Sequence, residues 1–344
     1  MRKPIVAVTL GDPSGIGPEL IAKLFTSEAR DKSCNCVIVG DPWVWEQAQN
    51  LTGLISNVVP VSSFEDVADS EAGQICFLPV NSIERHKLKM AEANPDSGKA
   101  VLDVLTICLD AAEKNLIDAI CFAPLNKQAM IMAGMPFEDE LHFFADYFKV
   151  KSYFCEFNTL GDIWTSRISS HVPLKDVTPL VTKERIIEAS KLIHESLVKS
   201  GVEHPRVAVA GLNPHAGDGG VCGREEIEII KPAVDALNEL GYPVQGPFPA
   251  DTIFLKVRDG EFHAVVTMYH DQGQIAIKLL GFEKGVTVQG GLPVVITTPA
   301  HGTAFDIANK NKANVQATLN AYNLACVMGT AQFNSQLTAQ SVAC

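Results

Sequence analysis

The feature that most constrains the fold of this chain is its regular alternation of short apolar segments with longer amphipathic ones. Segments such as "IVAVTL", "CVIVG", "RVAVAGLN" and "VVITTP" are typical of buried strands, and stretches typical of helices follow them. Alternating strands and helices form parallel sheets with helices packed on their faces. The sequence therefore predicts an α/β protein with largely parallel sheets. The last residues, 333–344, lack this pattern and are predicted to be frayed or disordered.

Composition narrows the classes of function. With 344 residues, of which 47% are hydrophobic and 20% charged, the chain can bury a sizeable core and has room for two lobes. Its net charge of −12 argues against a nucleic acid or an anionic membrane as the main partner. No stretch approaches the roughly 18 apolar residues of a membrane helix. The nine cysteines are scattered and most lie in apolar runs, which indicates reduced thiols and a cytoplasmic protein.

Polar residues cluster where predicted strands end. The clearest case is "TMYHDQGQIAIK", residues 267–278, in which a histidine, a carboxylate and two glutamines follow an apolar run. In parallel α/β sheets, ligands bind beyond the carboxyl ends of the strands. This segment is therefore a candidate site.

Three of the nine histidines share this setting. His171, His215 and His270 each follow a strand-like segment and have turn-forming or polar neighbours. A single histidine in such a place is usually a structural hydrogen-bonding group, and only the tertiary fold could join three that lie so far apart. Three neutral imidazoles would suit zinc or a similar divalent cation.

Charged residues near these histidines could act on a bound substrate. Asp271 directly follows His270 and could accept a hydroxyl proton. Lys278 lies two helical turns further on, and Lys127 ends another buried strand. A solvated surface charge remains the alternative for either lysine.

The first loop, "GDPSGIGPE", permits a close approach of the backbone to a ligand at a helix start. It matches neither the dinucleotide fingerprint nor the P-loop, because Leu20 stands where a third glycine would be and no Gly-Lys-Ser/Thr follows. A plain tight turn is an equally good interpretation.

Seven motifs together resemble the 4-hydroxythreonine-4-phosphate dehydrogenase (PdxA) family of the vitamin B6 pathway. They are "VTLGDPSGIGPEL", "APLNKQA", "SSHVPLKDV", "VAVAGLNPHAGDGG", "GPFPADTIF", "YHDQGQ" and "HGTAFDIA". The match runs in order from about residue 5 to about residue 328. The resemblance implies a fold like that of isocitrate and isopropylmalate dehydrogenases, with a cleft between two α/β/α lobes. The predicted lobes comprise residues 1–125 with 285–344, on the cofactor side, and residues 126–284, on the metal and dimer side.

The resemblance also implies the chemistry. Family members are homodimers that use NAD or NADP and one divalent metal to oxidise a β-hydroxy acid, which then loses carbon dioxide. Zinc is the first expectation for the metal, with magnesium, manganese or cobalt as alternatives. By this resemblance His171, His215 and His270 would bind the metal across the dimer interface, and Asp271 with Lys278 or Lys127 would transfer protons. The cofactor loop would supply His301, Gly302, Thr303, Asp306 and Asn314.

The substrate pocket departs from the family pattern. Glu140 and Leu141 replace a substrate-binding His-Thr pair, Thr287 replaces an asparagine, and Ile296 replaces the arginine that grips the substrate phosphate. Losing that arginine removes a charge-assisted contact worth about 1.5–3 kcal/mol. Asn309 and Asn311 also stand where glycines are common.

Three functions remain open at this point. The first is the family reaction on a phosphorylated hydroxy acid, and the second is the same chemistry on an unphosphorylated acid, such as a terephthalate-type cis-dihydrodiol carboxylate. The third is an inactive protein that binds NAD or metal.

Overall fold

The computed structural model describes residues 2–71 and 73–342. Its strands are β1 (Ile5–Thr9), β2 (Asn35–Gly40), β3 (Val58–Pro60), β4 (Ile75–Pro79), β5 (Ala119–Phe122), β6 (Cys155–Leu160), β7 (Ile163–Arg167), β8 (Val207–Ala210), β9 (Val244–Phe248), β10 (Ala264–Thr267), β11 (Val286–Gly290) and β12 (Val295–Pro299).

The α-helices surround these strands. They are α1 (Gly17–Phe25), α2 (Pro42–Thr52), α3 (Phe64–Ala68), α4 (Pro95–Glu113), α5 (Lys127–Met132), α6 (Glu140–Tyr147), α7 (Lys183–Lys199), α8 (Lys231–Glu239), α9 (Ile253–Arg258), α10 (His270–Gly281) and α11 (Gln316–Val342). Among the residues described, none of the helices combines the length and apolar character needed to cross a membrane.

The chain divides into two compact units, and the first extends to Val150 and resumes at Leu292. Its strands lie in the order β3-β4-β2-β1-β5-β12, and all of the recorded pairings are parallel. Buried side chains of β1, β2, β5 and α4 form its core. The α/β class predicted from the alternating pattern is confirmed.

The second unit extends from Lys151 to Gly291. Its strands lie in the order β11-β6-β7-β10-β8-β9. The strands β7, β10, β8 and β9 are parallel to one another, whereas β6 pairs antiparallel with both β7 and β11. This unit therefore combines a parallel half with an antiparallel edge.

Two predictions about boundaries need correction. The lobes were predicted to divide at residues 125 and 284, but residues 126–150 lie in the first unit, where Phe144 packs edge-on against Phe122 with ring centroids 5.9 Å apart. Residues 333–342 continue α11 rather than being disordered, and residues 343–344 lie outside the described part of the chain.

Candidate functional site

The three candidate metal ligands follow three neighbouring strands of the second unit. His171 comes after β7, His215 after β8 and His270 after β10, and β10 pairs in parallel with both of the others. Parallel neighbours place their carboxyl ends at one edge of a sheet. The fold thus brings the three loops to the same edge.

Two of the imidazoles lie close to one another. The ring centroids of His171 and His270 lie 5.8 Å apart. The Nδ1 atom of His270 lies 2.7 Å from Oδ1 of Asp271, and the histidine side chain remains 38% exposed. A carboxylate on one ring nitrogen fixes the orientation of the ring and leaves the other nitrogen for a metal.

Hydrogen bonds tie the three loops together. The backbone carbonyl of Met268 accepts a bond of 2.9 Å from the Ser169 hydroxyl, in the loop that carries His171. Gln272 accepts a bond of 2.8 Å from the Met268 N–H and donates one of 2.9 Å to the Gly211 carbonyl, in the loop that carries His215. The side-chain amide of Gln272 therefore links the loop after β10 to the loop that carries His215.

His215 begins an unusual turn. The residues from His215 to Gly219 all have left-handed backbone conformations, with φ between 45° and 84°. Three of the five are not glycine, and each of those costs roughly 1–2 kcal/mol in this region. A strained turn at a loop of this kind needs specific support from its neighbours.

An open cavity of about 590 Å³ lies beside this turn. His215, Tyr269 and Asp271 contribute its polar wall, and Phe254 and Leu279 are among its apolar lining residues. This volume is in the range of small-molecule sites. Lys278 lies on the same helix, α10, and is exposed.

The three histidines do not gather within metal-binding distance among the described residues of the single chain. Among the described residues, the one group of three His, Cys, Asp or Glu ligand atoms within 4.8 Å of one another is Glu138, Asp139 and His142, in the first unit. His142 there already contacts Asp139 through its backbone N–H and its Nδ1 atom, at 2.9 and 2.7 Å. His171, His215 and His270 do not form such a group, although the rings of His171 and His270 lie 5.8 Å apart and imidazole nitrogens suit a divalent metal.

A buried arginine near this edge escaped the sequence analysis. Arg167, at the end of β7, bonds to Glu156 and Asn158 at 2.8 Å each and is 7% exposed. Asn158 in turn donates to the hydroxyl of Thr287 at 3.1 Å, and Gln274 of α10 donates to Asn158. The sequence offered no signal for this network, because its members come from four separate segments. Thr287 lies within it rather than on an open surface.

The first unit holds the remaining predicted substrate residues. Lys127 begins α5, and its ammonium lies 3.6 Å from the Glu140 carboxylate. Leu141 is 3% exposed. Ile296 is fully buried in the hydrophobic core of this unit.

The loop after β12 contains the predicted cofactor residues. The Thr303 carbonyl accepts a bond of 3.1 Å from the Ile16 N–H, and buried Glu19 accepts bonds from the Ala313 N–H and the Lys23 ammonium at 2.7 and 2.8 Å. These contacts join the cofactor loop to the first loop, "GDPSGIGPE". Gly302, Asp306 and Asn314 are exposed along it.

His301 opens this loop. Burial lowers the pKa of His301, and its contact with the Gly302 carbonyl partly offsets that effect. A lowered pKa favours the neutral ring near neutral pH.

The comparisons with known proteins extend over nearly the whole chain. A family model described as "Pyridoxal phosphate biosynthetic protein PdxA" matches residues 32–325. A Pseudomonas aeruginosa protein with the provisional name 4-hydroxythreonine-4-phosphate dehydrogenase 2 is 48% identical over 329 residues, which is 95% of this chain and 97% of that protein.

Two solved structures are also similar. The 4-hydroxythreonine-4-phosphate dehydrogenase of Klebsiella pneumoniae superposes with a TM-score of 0.83 at 32% identity, covering 96% of this chain and 99% of that one. The terephthalate 1,2-cis-dihydrodiol dehydrogenase of Burkholderia xenovorans LB400 gives 0.66 at 26% identity, covering 95% and 98%.

Proposed function

Because the chain belongs to the PdxA family, we propose that it is an NAD(P)- and divalent-metal-dependent dehydrogenase that oxidises a β-hydroxy acid with loss of carbon dioxide. The substrate we propose first is a phosphorylated acid of the 4-hydroxythreonine 4-phosphate type, on which two of its relatives are named as acting. The observation that supports this best is the approach of His171 and His270, 5.8 Å between ring centroids, beside Asp271.

The metal would be held by His171, His215 and His270. Imidazole nitrogens suit zinc first, and cobalt, manganese or magnesium are alternatives. When bound, such a metal would polarise substrate oxygens as a Lewis acid. The Asp271 carboxylate would keep the His270 ring in the orientation that a ligand needs.

The proton transfers would fall to Asp271, Lys278 and Lys127. Asp271 is 69% exposed and lines the cavity, so it can reach a substrate hydroxyl as a base. Lys278 follows it by two turns of α10 and would return a proton to the product. Lys127 is the alternative proton donor, and its pairing with Glu140 would hold its ammonium in place.

The cofactor would bind at the loop after β12. Bound NAD or NADP would accept the hydride. Thr303 shapes the loop through its carbonyl bond to Ile16, and the proposed contacts come from His301, Gly302, Asp306 and Asn314.

We further propose that the enzyme is a homodimer with its active site at the interface. In one chain the rings of His171 and His270 lie 5.8 Å apart, but the three histidines do not form a group with all ligand atoms within 4.8 Å, so a second copy would complete the ligand set. The exposed face of α10 beside the cavity carries Ile275, Leu279 and Leu280, which are 59%, 83% and 40% exposed. The free cysteines of the described residues fit the reducing cytoplasm as its location.

A second candidate is the same reaction on an unphosphorylated hydroxy acid. The Glu140 carboxylate lies 3.6 Å from the Lys127 ammonium and would repel a phosphate bound there. Ile296 is buried and apolar, so it cannot bind an anion as an arginine would. The similar terephthalate dihydrodiol dehydrogenase gives this candidate a concrete substrate class.

The test is a substrate panel followed by absorbance of the reduced cofactor at 340 nm. The purified chain, with zinc or magnesium, is offered 4-phosphohydroxy-L-threonine, D-threonate 4-phosphate and cis-dihydrodiol carboxylates with NAD or NADP. Turnover of the phosphorylated acids supports the first candidate, and turnover of the dihydrodiols alone supports the second. No turnover of any, with neither metal uptake nor a thermal shift with NAD, would contradict both.

A pair of variants makes the assay specific for the site. His270→Ala should lower kcat/KM by more than roughly 100-fold, beyond what the loss of a supporting residue costs a metal site. His204→Ala removes an exposed histidine of the same unit and should leave activity unchanged.

A further inference from the structure

The turn that begins with His215 is held by a side chain to which the sequence analysis gave no role. Glu226 is the first residue of a π-helical segment, Glu226–Ile230, that leads into α8, and it is only 2% exposed. A carboxylate so deeply buried requires hydrogen-bond donors to offset its desolvation. The groups that donate hydrogen bonds to Glu226 show which part of the chain it holds in place.

Glu226 bonds to the residue at the base of the turn. Its Oε1 accepts the backbone N–H of Asn213 at 2.7 Å, and its Oε2 accepts the Asn213 side-chain amide at 2.9 Å. Asn213 is two residues before His215 and lines the same cavity. This two-point contact holds the backbone and the side chain of Asn213 at the base of the turn.

The space around the carboxylate is closed on the turn side. A Cβ atom added to Gly217 would lie 2.7 Å from Glu226 Oε2, and one added to Gly211 would lie 3.1 Å from Oε1. The backbone at Gly217 and Gly211 therefore approaches this carboxylate closely, without room for a side chain at Gly217.

We propose that Glu226 is a positioning residue for the metal site: it holds the left-handed turn that presents His215. This inference rests on the proposed function, since it requires a metal for His215 to bind. Substitution by glutamine would keep the size and one acceptor but would place an amide donor against the donor of Asn213. The turn should then relax, and His215 should leave its position.

The test is a titration of the metal-free, full-length chain with Co²⁺, followed by visible absorption of the bound ion. Glu226→Gln should weaken Co²⁺ binding by about 10–100-fold, the effect of losing a supporting residue, and should change the absorption bands at saturation. Glu228→Gln is the matched control, because Glu228 lies on the same segment but pairs with Arg224 on the surface. It should bind Co²⁺ as the unaltered protein does.

The outcomes separate this inference from the function on which it rests. If the unaltered chain and Glu226→Gln bind Co²⁺ with the same affinity and spectrum, the positioning role is refuted while the metal site stands. If the unaltered chain binds no Co²⁺, both fail. Should Glu226→Gln not fold, Asn213→Ala decides: it removes the side-chain amide that donates to both Glu226 and Glu225 and keeps the backbone bond to Glu226. Weakened binding that Glu225→Gln does not share supports the role, and unchanged binding refutes it.

Discussion

Asp12, in the first loop, is a buried acid whose protonation affects stability. It is fully buried, its Oδ1 accepts the Ser14 N–H at 2.8 Å, and its Oδ2 has no hydrogen-bond partner among the described residues. Burial raises its pKa from 3.8 to about 6, against the smaller opposing effect of Ser14. The folded state therefore holds this proton more tightly than the unfolded state does.

The raised pKa of Asp12 makes the free energy of unfolding depend on pH. The contribution of the protonated Asp12 carboxyl to stability is full below pH 4 and is lost as the pH rises to about 6, which lowers the free energy of unfolding by roughly 3 kcal/mol. Asp12→Asn removes this titration, so the difference in stability between the variant and the unaltered chain should change by that amount across the interval. Urea unfolding at several pH values measures it, and parallel pH profiles would contradict the assignment.

The proposed proton donor Lys278 can be tested against a control lysine in the same unit. Lys278→Met should lower kcat by roughly 100- to 10,000-fold, the usual contribution of a positioned acid or base, with a smaller effect on KM. Lys256→Met is the control, because Lys256 pairs with Glu261 at 2.8 Å on the surface. If both variants keep full activity, the role passes to Lys127, and Lys127→Met becomes the deciding variant.

Single residues show where sequence reasoning succeeds and where it stops. Asn309 and Asn311 replace expected glycines, yet both have φ near 55°, a conformation that asparagine tolerates better than most residues. Asparagine at these two positions is therefore compatible with the left-handed backbone that the loop adopts. The complete burial of Ile296 was not predictable, because an apolar strand does not reveal which of its residues face the core.

At the scale of elements, the contact of α4 with α5 makes a sharp prediction. A Cβ atom on Gly98, in the first turn of α4, would lie 2.0 Å from the Ala129 carbonyl oxygen of α5. Gly98→Ala should destabilise the protein by about 1–3 kcal/mol through overpacking, despite the higher helix propensity of alanine. Thermal unfolding measures the change.

The control for this prediction is Lys99→Ala, at the next position of α4, where the side chain is 67% exposed. It should change stability by less than about 0.5 kcal/mol. Because α5 begins with Lys127, Gly98→Ala should also reduce activity if that lysine belongs to the site. Equal stability of the two variants would show that the helices can separate without cost.

Elements were predictable to the extent that local pattern decides them. The apolar runs that became β1, β2, β8 and β10 are buried along their whole length, as a parallel sheet requires. The antiparallel pairing of β6 could not be predicted, since strand direction depends on partners that are remote in the sequence. The left-handed turn after β8 was equally hidden, because His215, Ala216 and Asp218 are not glycine and such residues rarely adopt this conformation.

At the scale of the whole molecule, the sequence predicted which loops carry the histidines but not their distances. The three loops meet because β7, β10 and β8 are neighbours, and strand order is a property of the complete sheet. For the same reason the unit boundary was misplaced: the aromatic contact of α6 with β5 assigns residues 126–150 to the first unit. Tertiary packing therefore determines both the distances between the three histidines and the boundary between the units.

The last prediction concerns assembly. If a second copy completes the metal site, a charge on the exposed apolar face of α10 should disrupt both the dimer and metal binding. Leu279→Glu places a carboxylate at a leucine that is 83% exposed in the single chain and lines the cavity with His215. Burying that charge at an interface without a partner is strongly unfavourable, so the variant should sediment as a monomer and bind Co²⁺ more weakly.

The matched control is Leu240→Glu, which adds the same charge at a 57% exposed leucine at the end of α8, outside the residues that line the cavity. Sedimentation velocity over a range of protein concentrations should show this variant as a dimer, like the unaltered chain. A Leu279→Glu protein that remains dimeric with unchanged Co²⁺ affinity would place the interface elsewhere. A monomeric unaltered chain that still binds Co²⁺ tightly would mean that one subunit can gather all of its ligands when the ion binds.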